Sequence, residues 1–140
     1  MIFCSNIEMV NNMQDKLLKL LENSYSPYSG FRVASVAVMK DGKEFVGVNV
    51  ENAAYMSICA ERNAIMNAVS HGYKRYDFKE LHVMCDSEKV SMPCFICRMT
   101  ISEMLEPQVQ VISYSKKGKI ESHTVQELCP YPFSDDDLSN

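Results

Sequence analysis

Arg32 to Met39 and Glu44 to Val50 are β-branched, apolar runs separated by Asp41-Gly42, and that short break constrains the fold more than any other feature. Asp-Gly between such runs is a strong hairpin signal, because glycine readily takes the positive φ of a tight reversal. The two runs therefore pair side by side. A helix–strand alternation follows. Ala60 to Val69 has helical spacing and is closed by Gly72, and a strand lies around Leu81 to Cys85. Pro93 introduces a second helix, Cys94 to Leu105, which stops before Pro107. Val109 to Tyr114 is strand-like, Lys117-Gly118 turns the chain into a shorter strand near Ile120, and Thr124 to Leu128 makes a last short helix. Upstream, Met9, Val10, Met13, Leu17, Leu18, Leu20 and Leu21 recur at helical spacing as far as Glu22, and this helix ends before Ser26-Pro27. Residues up to about Glu8 read as a loose N-terminal arm. The order α-β-β-α-β-α-β-β-α predicts an α/β fold, a three-layer α/β/α sandwich on a mixed five-stranded sheet, as a single domain over residues 1–140.

Charge narrows the possible partners. Net charge is −4, and of the 14 basic residues only Lys74/Arg75 and Lys116/Lys117 are adjacent. A nucleic-acid backbone needs a basic stripe, so no nucleic-acid polymer is expected as a partner. No apolar segment is long enough to span a bilayer, and no membrane association is expected. The start, MIFCSNIEMVNN, lacks the basic residues and cleavage site of a secretory signal, so the expected location is cytoplasmic.

Six cysteines remain to be explained, and their spacing says more than their number. Cys94 and Cys97 form a C-x-x-C behind Pro93, and Cys59 stands two residues ahead of Glu61. Both groups open a helix. Two cysteines three apart at a helix start can bend onto one ion, and zinc prefers thiolates. A third thiolate from Cys59 leaves one tetrahedral position open, the mark of a catalytic rather than a structural site. Water there becomes acidic enough to react near neutral pH, with Glu61 placed to take its proton. The helix N-termini turn positive dipole ends toward the thiolates. Arg62 and Arg98 are expected to bond the cysteine sulfurs and draw charge off the metal; the plainer alternative makes them surface helix residues. Cys4, Cys85 and Cys129 read as free, mostly structural thiols.

Blander readings exist for each piece. The C-x-x-C alone fits a redox pair, but no Trp or Gly-Pro context accompanies it. A closed structural site needs a fourth ligand, and His71, His82 and His123 stand at no recurrent spacing from the cysteines. Glu61 alone is a first-turn acid favoured by the helix dipole.

Four phrases together resemble the short, homotetrameric class of cytidine deaminases: Pro27-Tyr28-Ser29-Gly30-Phe31-Arg32-Val33, Gly47 to Tyr55, Cys59-Ala60-Glu61-Arg62, and Pro93-Cys94-x-x-Cys97-Arg98. The likeness runs from about Ser24 to Leu138 and includes the closing Leu128-Cys129-Pro130-Tyr131-Pro132-Phe133. It implies one zinc ion per chain on Cys59, Cys94 and Cys97, with Glu61 relaying protons to the ring nitrogen and the leaving ammonia. Asn49 and Glu51 would bind the ribose, chiefly its 3′-hydroxyl, from one face of a strand. Phe31 would pack on the pyrimidine and the Ala60 backbone would contact the base. Phe133 would enter a neighbouring subunit's site, so that a homotetramer shares its active sites.

The resemblance is not uniform. Only Met56, Ser57 and Ile58 separate Tyr55 from Cys59, one residue fewer than the family pattern. Phe95 stands where the family has a glycine, Met99 replaces a glutamine, Met92 a serine, and Ala34-Ser35 a Gly-Ala pair. The reaction implied is hydrolytic deamination of cytidine and 2′-deoxycytidine in pyrimidine salvage. The rivals are a zinc deaminase for another small aminated heterocycle and a non-catalytic zinc-binding member of the family.

Overall fold

The computed structural model describes residues 2–139, with side chains from Asn12 onward. Its elements are α1 (Ile2–Leu21), β1 (Val33–Met39), β2 (Glu44–Val48), α2 (Ala60–Ser70), β3 (Phe78–Cys85), α3 (Phe95–Met104), β4 (Gln110–Ser115), β5 (Ile120–Thr124) and α4 (Val125–Leu128), followed by one 3-10 turn at Asp135–Leu138. The nine expected elements are all present in the expected order. One expectation is overturned. The stretch to Glu8, read as a loose arm, belongs to α1, which starts at Ile2. No glycine or proline interrupts the chain before Pro27, so nothing in the backbone stops the helix from extending.

The five strands form one sheet in the order β2-β1-β3-β4-β5. β1 pairs antiparallel with β2 and β3, β3 and β4 run parallel, and β5 returns antiparallel to β4. Strand alternation splits the side chains between two cores. Ala37 and Met39 of β1, Leu81 and Val83 of β3 and Val111 of β4 face α2, α3 and α4. Ala34 and Val36 of β1, Met84 of β3 and Tyr114 of β4 face the other way, onto Leu17 and Leu21 of α1. The sandwich therefore carries three helices on one face and one on the other.

Gly47 sets how closely α2 lies on the sheet. A Cβ at this position would stand 2.4 Å from both Ala60 O and Ala64 N. With none there, the first turn of α2 packs directly on β2, and Asn63 and Asn67 donate to the carbonyls of Val48 and Val46 at 3.0 and 3.2 Å. That contact also covers the backbone of an edge strand.

Candidate active site

A cavity of about 340 Å³ opens beside the start of β1 and the ends of β2 and β3, where α2 and α3 begin. Cys59 and Cys94 are the N-cap residues of α2 and α3, both in extended backbone conformation, and neither uses its side chain to cap its helix. Cys97 lies one turn into α3 and is fully buried. The three sulfurs lie within 4.8 Å of one another, and Cys59 and Cys94 are 3.8 Å apart. Two thiolates at about 2.3 Å on a tetrahedral ion stand roughly 3.8 Å apart, so this cluster has the dimensions of a zinc site.

Its protonation chemistry agrees. The nearness of Cys97 holds the Cys59 thiol well below its ordinary value, against burial, with Cys94 and Arg62 helping. Cys97 is pushed up, first by Cys59 and then by burial. Three sulfurs this close cannot all ionise without a cation among them. The donor set fits zinc, and one ion per chain is what it can hold.

Glu61 sits in the first turn of α2, 5% exposed, and lines the cavity. Burial raises its carboxyl to about 7, opposed by its own backbone N–H and reinforced by the charge on Cys59. A buried carboxyl poised near neutrality can both take and return a proton.

The loop that delivers Cys59 is closed by one side chain. Asn52 Oδ1 accepts from the N–H groups of Ala54 and Met56 at 3.0 and 3.2 Å, and Nδ2 donates to Met56 O at 3.0 Å. Tyr55 takes a positive φ of 58° inside this turn. Ile58 then returns to Val50 through two 3.0 Å backbone bonds, and Cys59 follows at the head of α2.

Asn49, Glu51 and Phe31 all line the same cavity as Glu61, Cys59 and Cys94. The strand expected to carry Asn49 and Glu51 ends at Val48, two residues short. Beyond it the chain stays extended, because Val50 bridges Tyr25 on one side and Ile58 on the other. Both side chains therefore keep the shared face without the regular strand. Ala60 is fully buried in the first turn of α2, between a ligand and the carboxyl. Phe133 is elsewhere. It lines a separate groove with Ile65, Met66 and Met99 and stands 74% exposed.

The two arginines behave differently. Burial opposes the Arg62 cation, and the Cys59 sulfur more than offsets it, so Arg62 stands as a charge partner to the cluster while Nη2 donates to Ser57 O at 3.3 Å. Arg98 does not meet the expectation of a bond to sulfur. Its Nε and Nη1 donate to Pro93 O and Leu128 O at 2.8 and 2.9 Å, and its guanidinium lies 4.6 Å from the Phe95 ring centroid. It ties the turn before Cys94 to the end of α4, holding backbone rather than metal charge.

Two serines with no role expected from the sequence support the cavity: Ser29 lines it, and Ser24 stands against Asn49. Ser29 donates through Oγ and N–H to the two oxygens of Glu51 at 2.7 and 3.1 Å, and Ser24 Oγ lies 2.5 Å from Asn49 Oδ1. Met92 and Cys85 also line the cavity. Cys85, read as a structural thiol, is pushed up to about 11 by burial and keeps its proton. Serines some 25 residues from their partners carry no spacing signal.

The chain matches a family model described as the cytidine and deoxycytidylate deaminase zinc-binding region over residues 8–113. It is 43% identical to a cytidine deaminase of Sporosarcina psychrophila over 122 residues, covering 86% of this chain and 88% of that one. A cytidine deaminase of Halalkalibacterium halodurans is 37% identical over 120 residues, with 85% and 89% covered. The crystal structure of the cytidine deaminase of Burkholderia pseudomallei superposes with a TM-score of 0.84 at 32% identity, covering 88% of this chain and 98% of that chain.

Proposed function

The chain belongs to the cytidine and deoxycytidylate deaminase zinc-binding family, and from that premise we propose that it is a single-domain, cytoplasmic enzyme of pyrimidine salvage that hydrolyses cytidine and 2′-deoxycytidine to uridine, 2′-deoxyuridine and ammonia. The observation that supports it most is one cavity lined by Cys59, Cys94, the buried Glu61, Asn49 and Glu51. Cys59, Cys94 and Cys97 would hold one zinc ion, which would supply Lewis acidity toward a water molecule.

The rest is work for the chain's own residues. Glu61 takes a proton from the attacking water and gives it to the ring nitrogen. It then takes the second proton from the hydroxyl newly added to the ring carbon and passes it to the amino group, which leaves as ammonia as the C–N bond breaks. Arg62 and the N-termini of α2 and α3 offset the negative charge of three thiolates. Phe31 packs on the pyrimidine, the Ala60 backbone meets the base edge, and Asn49 and Glu51 hold the sugar. Arg98 fixes the Pro93–Cys94 turn, so its role is to place a ligand rather than to tune it.

The working form is a homotetramer in which Phe133 enters a neighbour's site. Its support is the exposed apolar surface around that residue. Met66, Val69 and Met99 line the same groove and are between 45% and 69% exposed, and an exposed apolar patch of this kind marks an interface. No helix among the described residues is long and apolar enough to cross a membrane.

Ammonia release from cytidine and 2′-deoxycytidine, measured beside zinc content per chain, tests the reading. About one zinc with turnover supports it. A zinc-loaded protein inert toward both nucleosides but active on another aminated heterocycle would give the site to that substrate.

A further inference from the structure

The hydrogen bonds around Asn49 decide which way its amide faces. Oδ1 accepts from Val33 N–H at 2.8 Å, and Nδ2 donates to Phe31 O at 2.8 Å. A rotated amide would set NH₂ against an N–H and oxygen against a carbonyl, so this orientation is fixed by backbone alone. Ser24 then adds to it. A carboxamide oxygen cannot donate, so the hydrogen in the 2.5 Å contact is that of the Ser24 hydroxyl. Ser26 Oγ lies 3.2 Å from Ser24 Oγ.

The consequence is chemical. Oδ1 has two acceptor positions, and Val33 and Ser24 occupy both. Nδ2 has two hydrogens, and Phe31 takes one. Toward the cavity Asn49 therefore offers one donor and no acceptor. Glu51 offers the opposite, since a carboxylate only accepts, and Ser29 holds both its oxygens in place.

We infer that Ser24 is a positioning residue: by filling the second acceptor position of Asn49 it makes Asn49 a pure donor, so that with Glu51 the subsite accepts only a group that donates and accepts at once, a hydroxyl. The inference rests on the nucleoside reading above, and the group it concerns is the sugar 3′-hydroxyl. Without Ser24, Oδ1 regains a free acceptor position. It then holds a water or competes for the ligand's proton, and the hydroxyl loses its fixed direction.

The test compares uridine with 3′-deoxyuridine by titration calorimetry on zinc-loaded wild type, Ser24→Ala and Ser24→Thr. Ser24→Ala is expected to weaken uridine roughly three- to ten-fold, the size of one neutral hydrogen bond. Binding of 3′-deoxyuridine stays unchanged, and Ser24→Thr, which keeps a hydroxyl, restores uridine. With cytidine as substrate, KM rises by the same factor while kcat stays within about two-fold. Equal losses for both ligands would mean that Ser24 merely braces the loop, and an unchanged uridine affinity would remove its role; either overturns the inference, as would wild type binding neither. If wild type shows this discrimination yet releases no ammonia from cytidine, the deamination reading fails and the role of Ser24 stands.

Discussion

The two faces of the sheet bury polar groups in opposite ways. On the face under α1, His82 is 6% exposed and both ring nitrogens have partners: Nδ1 lies 2.9 Å from Tyr114 Oη and Nε2 3.0 Å from Glu80 Oε2. The Glu80 carboxylate can only accept, so Nε2 carries the proton and Nδ1 takes that of Tyr114. The chain is closed and satisfied. On the face under α2 and α3, Glu61 is equally buried, yet its carboxyl rises to about 7 and the sulfurs beside it cannot all ionise. Saturation marks the first set as structure, and unmet demand marks the second as chemistry. Burial alone would not separate them.

Substitutions should separate the faces by kind of effect as well as size. Cys97→Ala removes a ligand from the chemical face, so zinc per chain should fall well below one and ammonia release below detection, as metal analysis and a turnover assay would show. Gly47→Ala pushes a methyl into the backbone of α2 at 2.4 Å. That overpacking costs roughly 1–3 kcal/mol and displaces Cys59 and Glu61 together. Denaturant unfolding should show the loss, and turnover should drop at least about ten-fold; full activity would mean that α2 can shift without moving the site.

Tyr114→Phe probes the quiet face. It leaves His82 Nδ1 without its donor, a loss of about 1–3 kcal/mol for a buried group, with kcat unchanged. A fall in kcat at full zinc occupancy would breach the division between the faces. The smallest effect is in pH. Burial holds His82 below its ordinary value, although Glu80, and more weakly Glu44, pull the other way. The unfolded histidine, near 6.5, therefore takes up a proton before the folded one does. Its contribution to stability is complete above about pH 6.5 and is lost as pH falls from there through the folded pKa. Lys16 and Lys79 line a separate cavity beside His82 and oppose a further positive charge there. Thermal unfolding of His82→Gln between pH 7 and 5.5 should decline less steeply than that of wild type.

Much of the chemical face is legible from the chain. Cys59, Cys94 and Cys97 are visible because helix starts and a C-x-x-C fix their local geometry, and Arg62, three residues after Cys59, falls on the same side of its helix. Arg98, four residues after Cys94, has a spacing of the same kind, yet its guanidinium goes to the carbonyls of Pro93 and Leu128, and the approach of α4 that supplies Leu128 O leaves no mark in the local spacing. Glu51 and Asn49 share a cavity although the strand stops at Val48, because bridges to Tyr25 and Ile58 keep the backbone extended. Such bridges, like the contacts of Ser24 and Ser29, join distant parts of the chain and leave no periodic trace. The start of α1 was legible and was missed: Phe3, Ile7 and Val10 continue the helical spacing, and no glycine or proline breaks the backbone there.

The central claim is that Glu61 moves protons beside a metal it does not hold. Glu61→Gln keeps the size and burial of the side chain and removes only its ability to ionise. Zinc per chain should stay at the wild-type value, while kcat for cytidine falls by at least about 10²–10⁴, the usual weight of a general acid–base. Unchanged zinc with turnover near wild type would contradict the claim.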